Sequence, residues 1–128
     1  MDWREVYKDK IVSAAEAVSH IKSGDKIIYG DWLGEPPALV AALIERSADL
    51  KNVEIIHGIS PGPNADTDPA YEGIFHHTAV FLGALSRPGY YDGKVEYIGG
   101  SNFHEWPKMF GESKVLNPHW ALVQVSEP

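Results

Sequence analysis

Residues 26–37, KIIYGDWLGEPP, decide the fold that the sequence predicts. The run Ile27–Tyr29 is β-branched and aromatic and follows a Gly-Asp turn, which is typical of a short buried strand. A five-residue loop then leads to two prolines, and a proline at the first helical position removes no hydrogen bond. We therefore predict a strand, a glycine-bearing loop and a helix from Ala38 to about Arg46.

Elements of the same kinds recur on both sides of this stretch. Ser13 and Glu16 form a capping box for a helix that ends at Gly24. The other predicted strands are residues 53–57, 77–82, 95–98 and 120–125, and the other predicted helical segments are 2–9, 71–75, 86–93 and 103–110. This alternation predicts an α/β fold with a mostly parallel open sheet of about five strands and helices on both faces.

The composition narrows the class of protein. The chain has 128 residues, which suits one domain, and no cysteine, so no disulfide or thiolate-bound metal can form within it. Its 11 basic residues are scattered among 18 acidic ones, so we expect no nucleic-acid partner. No apolar run approaches the ~20 residues of a membrane helix, and no signal peptide is visible. We therefore expect a cytoplasmic protein with no membrane partner.

The loop after the first strand is a candidate wall of a binding site. In an open α/β sheet, ligands bind outside the carboxyl ends of the strands, where backbone N–H groups at a helix N-terminus can hold anionic groups. The glycines Gly30 and Gly34 flank this loop. The same pattern also occurs in ordinary strand-to-helix connections, and the residues alone leave both interpretations open.

Two short patterns suggest metal ligands, and neither completes a motif. His76 and His77 are adjacent, and adjacent strand residues point to opposite faces, so both cannot easily bind one ion. Asp66 and Asp68 look like part of a calcium loop that lacks its glycine and distal glutamate at the required spacing. We expect no metal site.

Six sequence blocks, taken in order, resemble a known family. They are WREVYKDK, SAAEAVSHIKSGDKI, GDWLGEPPALVAAL, LKNVEIIHGIS, FHEWPKMF and NPHWALVQVSEP. Their order and spacing are similar to the N-terminal part of the acetyl-CoA hydrolase/transferase family, of the 4-hydroxybutyrate and butyrate:acetate CoA-transferase type. The similarity covers essentially the whole chain, which therefore looks like an isolated N-terminal CoA-transferase-type α/β domain, Rossmann-like in fold.

The resemblance implies a reaction that this domain does not complete alone. The family has a second α/β domain, and the glutamate that forms the acyl-glutamyl and glutamyl-CoA intermediates lies there. The resemblance implies no catalytic residue and no covalently bound cofactor in this chain. It implies a coenzyme A thioester and a short-chain carboxylate as the substrates. The implied partners are the second domain of the same protein and further copies in a homo-oligomer. We expect the isolated chain to be inactive.

The resemblance also implies which residues face the cleft between the two domains. The implied substrate-binding residues are Gly34, Glu35, Pro36, His57, Gly58, Ser60, Ser101 and Glu105. Three of them have a structural explanation as well. Glu35 could instead cap its helix, and His57 could bond to the backbone. An acid in the first turn of a short helix is the simpler account of Glu105.

A domain that closes against another is expected to leave apolar surface bare at the closing edge. The apolar residues in segments that follow predicted strands are Trp32, Leu33, residues 59–61, Phe103 and Trp106. In a parallel sheet these segments gather at the carboxyl edge. A rival interpretation remains from another class of protein: a non-catalytic α/β small-molecule-binding or dimerisation module.

Overall fold

The computed structural model describes residues 2–60, 62, 68–99, 102–112 and 115–127. In this part of the chain five parallel strands form one sheet in the order β4-β3-β2-β1-β5. The strands are β1 Lys26–Tyr29, β2 Val53–His57, β3 Phe75–Ala79, β4 Val95–Tyr97 and β5 Trp120–Leu122. The helices are α1 Trp3–Val6, α2 Ala14–Val18, α3 Pro37–Glu45 and α4 Ser86–Tyr91, with a π-helical segment at Lys108–Glu112. The predicted parallel α/β sheet is confirmed.

Several element bounds differ from the prediction. β5 ends at Leu122 because the N–H of Gln124 turns to the carbonyl of Gly34 instead of continuing the ladder. α2 ends at Val18, six residues before Gly24, although Gly24 does take the predicted left-handed conformation with φ 83°. The predicted helical turn at 71–75 was wrong, because the chain forms a 3₁₀ turn at Pro69–Tyr71 and enters β3 at Phe75.

One face of the sheet packs against α2 and α3. Ile27 and Ile55 contribute from neighbouring strands, and they meet Val18, Ile21 and Leu43 from the helical side, all at most 2% exposed. Each such side chain contributes roughly 1.5–3 kcal/mol by leaving water. The Ser13 hydroxyl caps α2 by accepting the N–H of Glu16 at 3.1 Å, as the capping box predicts.

The opposite face is covered by the chain between β4 and β5. Because successive strand residues alternate between faces, Ile56 points away from Ile55 and packs with Val80 and Leu116. Trp106, Met109 and Phe110 pack against this second cluster. Helical residues therefore lie on both faces of the sheet.

Among the described residues, every helix is too short or too polar to cross a bilayer.

Polar groups close the amino end of β1. The carboxylate of Asp25 accepts the N–H of Lys22 at 2.9 Å and the indole N–H of Trp120 at 2.8 Å, and it lies 3.4 Å from the imidazole of His119. Burial raises the pKa of Asp25, but these hydrogen bonds and the nearby positive charges outweigh burial and leave the pKa below its ordinary value. This network anchors β5 beside β1 through Trp120.

Candidate functional site

The loops that follow β1 and β2 are joined at the carboxyl edge of the sheet. The N–H of Gly58 donates to Asp31 Oδ1 at 2.8 Å, and the N–H of Trp32 donates to the carbonyl of Ile59 at 2.9 Å. Parallel neighbouring strands end at the same edge, so the two loops leave the sheet side by side. The loop after β1, which the sequence predicts as one wall of a binding site, therefore touches the loop after β2.

Two glycines allow this close approach. A Cβ on Gly58 would lie 2.9 Å from Asp31 Oδ2, and a Cβ on Gly30 would lie 2.3 Å from the carbonyl oxygen of Gly34. Both distances are shorter than real carbon–oxygen contacts, so a side chain at Gly30 would displace the backbone of the first loop, and one at Gly58 would displace the Asp31 carboxylate. Trp32 has φ 51°, which is uncommon for a bulky residue and marks this loop as constrained.

The predicted residues of the first loop lie where that loop meets α3. The carbonyl of Gly34 accepts the N–H of Gln124 at 2.8 Å, which ties the loop to the segment after β5. Pro36 is buried and occupies the N-cap position of α3, so Glu35 lies one residue before the N-cap. A Cβ built on Gly62 would lie 3.7 Å from Glu35 Oε1, so the Glu35 carboxylate reaches the chain that follows β2.

His57 ends β2 inside a buried aromatic stack. Its ring lies 5.8 Å from the Tyr29 ring and 4.0 Å from the His77 ring, with interplanar angles of 17° and 16°. All three side chains are at most 7% exposed. The structure thus buries the His57 ring in a stack against one face of the sheet rather than on the loop surface.

The remaining predicted residues are held by local hydrogen bonds. The Ser60 hydroxyl accepts the N–H of Gly62 at 3.2 Å. The Glu105 carboxylate accepts the N–H of Asn102 at 2.9 Å, which supports the simpler account of this acid as a cap of its own turn. Ser101 lies outside the described residues, as do Pro61 and residues 63–67.

Within the described residues, the two patterns that suggest metal ligands do not converge. His76 is exposed, and its Nε2 lies 3.3 Å from Asn52 Oδ1, whereas His77 is buried, as expected for adjacent strand residues. Asp68 Oδ1 accepts the N–H of Ala70 at 2.9 Å and caps a 3₁₀ turn. Asp66 lies outside the described residues. Within the described part of the chain, no three metal-ligating side chains come together.

Below the joined loops, the described residues leave a cavity of about 340 Å³. Its walls come from β1, β5 and the chain between β4 and β5, and its lining is almost entirely apolar. The residues that line it are Ile28, Tyr29, Gly30, Asp31, His57, Val80, Trp106, Phe110, Ala121 and Val123. Through Trp106, the cavity brings the chain that follows β4 to the same edge as the loops after β1 and β2.

Sequence reasoning placed Trp106 at this edge as a bare apolar residue, but it did not single out Asp31 as a site residue. Asp31 was visible as the first polar residue after a buried strand, a position that points at the edge of a parallel sheet. That Trp106 lines a cavity there was not predicted, because this depends on how the chain crosses from β4 to β5. It packs edge-on against Phe103 and Phe110, with ring centroids 4.8 and 6.1 Å away.

Apolar side chains also lie exposed around this edge. Leu33 is 82% exposed, Phe103 79% and Trp32 57%. The carboxyl edge therefore combines a small apolar cavity, two joined loops and bare apolar surface. This combination is typical of α/β domains that bind a small molecule at the carboxyl ends of their strands.

Comparison with known proteins identifies the family. The family model for the acetyl-CoA hydrolase/transferase N-terminal domain matches residues 1–126, and the chain belongs to that family. A 4-hydroxybutyrate coenzyme A transferase of Clostridium kluyveri is 35% identical over the whole chain. A butyryl-CoA:acetate CoA-transferase of Anaerostipes caccae is 41% identical over 77% of the chain.

Solved structures show the same fold. The crystal structure of RipA from Yersinia pestis matches 88% of the chain with a TM-score of 0.73 and 30% identity. The chain covers 28% of that structure and 29% and 26% of the two sequence relatives. It therefore spans between a quarter and a third of the length of the relatives that it matches.

Proposed function

We propose that this chain is the N-terminal domain of a CoA-transferase that moves coenzyme A between a short-chain acyl-CoA and a carboxylate. The observation that carries the proposal is the joining of the two loops at the carboxyl edge by Asp31 and Gly58. The family and the named relatives supply the reaction class. In this proposal Gly34, Glu35, Pro36 and Ser60 contact the substrate at that edge.

The proposed reaction assigns the bond-making groups to a second domain. A glutamate carboxylate there attacks the thioester carbonyl, forms an acyl-glutamyl anhydride and releases the CoA thiolate. The thiolate then attacks the glutamyl carbonyl, which gives a glutamyl-CoA thioester and the free acid. A second carboxylate reverses both steps and leaves as the new acyl-CoA.

The present domain would close the other side of that cleft. An anhydride and a thioester both react with water, so a cleft that excludes water favours transfer over hydrolysis. Exposed Trp32, Leu33 and Phe103 would supply apolar surface for this closure. We extend the proposal to a cytoplasmic homo-oligomer that binds no cofactor covalently.

The direct test is a transfer assay on the complete gene product that contains this chain. It would be incubated with butyryl-CoA and acetate, and acetyl-CoA would be separated by chromatography. We expect acetyl-CoA to form with ping-pong kinetics. The matched control is the 128-residue chain alone, which should fold and give no acetyl-CoA.

Two results would contradict the proposal. One is a folded complete gene product that transfers CoA from none of the acetyl, butyryl and 4-hydroxybutyryl thioesters. The other is turnover by the 128-residue chain itself, which would place the nucleophile within it. A product that binds acyl-CoA and never transfers it would instead support a non-catalytic small-molecule-binding module.

A further inference from the structure

The Asp31 carboxylate is a side-chain tie between the two loops at the carboxyl edge, and its partner lies in a buried position. Gly58 is buried and Asp31 is half-buried, with 2.8 Å between the Gly58 nitrogen and Asp31 Oδ1. A hydrogen bond to a charged acceptor is stronger than one between neutral groups, and a buried N–H that loses its acceptor costs free energy. Asp31 therefore fixes the distance between the loops after β1 and β2.

The first loop also has attachments that do not depend on the Asp31 side chain. The N–H of Trp32 donates to the carbonyl of Ile59 at 2.9 Å, and the carbonyl of Gly34 accepts the N–H of Gln124 at 2.8 Å. These main-chain bonds need no carboxylate, so they remain when the side chain of Asp31 is shortened. A substitution at Asp31 therefore loosens the contact between the loops and leaves the domain folded.

The residues that directly follow Asp31 carry the bare apolar surface of this edge. Trp32 is 57% exposed and Leu33 is 82% exposed. In the proposed function these side chains help to close the cleft against a second domain. Because the Asp31 carboxylate holds the start of this loop against the second loop, it also sets where the apolar surface lies.

We propose that Asp31 is a positioning residue that favours CoA transfer over acyl-CoA hydrolysis. The inference rests on the proposed function, in which a glutamyl-CoA thioester must be kept from water. With the loops joined, a second carboxylate attacks the glutamyl carbonyl and transfer continues. With the loops apart, water attacks that carbonyl, the C–S bond breaks, and CoA leaves as the thiol. The glutamate carboxylate is restored and one proton is released, so acyl-CoA is hydrolysed to the acid and free CoA.

The size of the effect follows from the population of the open loop. Loss of a hydrogen bond to a charged group raises that population by about 10- to 100-fold. Because water reaches the thioester in the open arrangement, the ratio of hydrolysis to transfer rises by the same factor. In Asp31→Asn an oxygen acceptor stays in place and only the charge is lost, so we expect the ratio to rise by about threefold at most.

The experiment measures both products of one reaction. The complete gene product would be incubated with butyryl-CoA and acetate, and the initial rates of formation of acetyl-CoA and free CoA would be measured by chromatography. The ratio of free CoA to acetyl-CoA should rise about 10- to 100-fold in Asp31→Ala. The control is Asp25→Ala, which removes a carboxylate that accepts a backbone N–H at the amino edge and should leave the ratio unchanged.

Hydrogen exchange gives a second result that does not depend on turnover. In the complete gene product without substrate, backbone amides of residues 57–60 should exchange about 10- to 100-fold faster in Asp31→Ala and close to the wild-type rate in Asp31→Asn.

The two measurements distinguish failure of this inference from failure of the proposed function. An unchanged product ratio in Asp31→Ala, or a ratio that rises equally in Asp31→Asn or Asp25→Ala, would overturn the inference. Faster exchange in Asp31→Ala, together with a wild type that neither transfers nor hydrolyses, would refute the proposed function and leave the tie between the loops in place.

Discussion

At the amino end of β1 the polar groups are paired within the chain, whereas at its carboxyl end bulky apolar side chains face solvent. At the amino end, the Asp25 carboxylate accepts hydrogen bonds from both the backbone N–H of Lys22 and the indole N–H of Trp120. At the other edge Leu33 is 82% exposed and Trp32 is 57% exposed. The strand is four residues long, so both environments lie within a short distance of each other.

This difference suggests that the amino edge stabilises the fold, whereas the carboxyl edge is the surface proposed to bind a partner or ligand. Paired groups at the amino edge gain nothing from a further partner, so that edge serves to hold β1, β5 and the chain before β1 together. The carboxyl edge keeps its apolar surface and its cavity available. Soluble proteins seldom expose large contiguous apolar patches without a binding role. Substitutions at each edge test these two roles separately.

The largest effect on stability is expected at Gly30, where the first loop folds back on its own strand. Gly30→Ala would place a Cβ 2.3 Å from the carbonyl oxygen of Gly34. Because this oxygen belongs to the backbone, the clash can be relieved only by a shift of the loop. We expect a loss of about 2–3 kcal/mol in the free energy of unfolding, measured with urea. Gly34→Ala is the matched control, because nothing lies within 4 Å of its Cβ. Equal losses in the two variants would show that the loop is not packed as described.

A smaller loss is expected at the amino edge. Asp25→Ala leaves the indole N–H of Trp120 without its acceptor, which should cost about 1–2 kcal/mol. Because the folded-state pKa of Asp25 is lowered, its contribution is complete above the ordinary unfolded pKa near 3.9 and is lost as the pH falls through the folded value. The stability gap between the wild type and Asp25→Ala should therefore be constant at neutral pH and narrow below about pH 4.

The control for this pH dependence is Asp49→Ala, which removes an exposed carboxylate from the turn after α3. It should leave both the stability and its acid dependence close to those of the wild type. A gap for Asp25→Ala that widens toward acid pH would show that the carboxylate is not stabilised in its charged form.

Some of this architecture follows from local sequence, and that part was predictable. The bounds of β2 and the cap of Ser13 depend on residues a few positions apart, and both agree with the structure. The positive φ of Gly24 is equally local. The aromatic stack of His57 and His77 depends instead on the pairing of β2 with β3, which periodicity within one strand does not encode.

The same distinction explains the candidate site. The loop after β1 was visible because a strand, a glycine loop and two prolines follow each other directly. The cavity was not visible, because it needs β5 beside β1 and Trp106 over the second face of the sheet. Both conditions depend on the path of the chain from β4 to β5, where Pro107 lies in the first helical turn, directly before the π-helical segment.

A weaker effect is expected on association. The isolated chain should self-associate through its carboxyl edge, and Leu33→Ser should weaken this association by about tenfold, as expected for one leucine side chain returned to water. Tyr91→Ser is the control, because Tyr91 is 81% exposed at the end of α4, shortly before β4 and so toward the amino edge. Light scattering over a concentration series measures both. A chain that stays monomeric at all concentrations would mean that the carboxyl edge needs no partner.

The central claim is that the acyl-CoA substrate occupies the carboxyl edge, and hydrogen exchange tests it most directly. Backbone amide exchange of the complete gene product would be followed with and without the non-transferable butyryl-CoA analogue. The account predicts slower exchange in residues 30–36 and 57–60 on binding, and unchanged exchange in residues 22–26 and 117–120 at the amino edge. Protection confined to the amino edge, or no protection in either loop at saturating analogue, would contradict it.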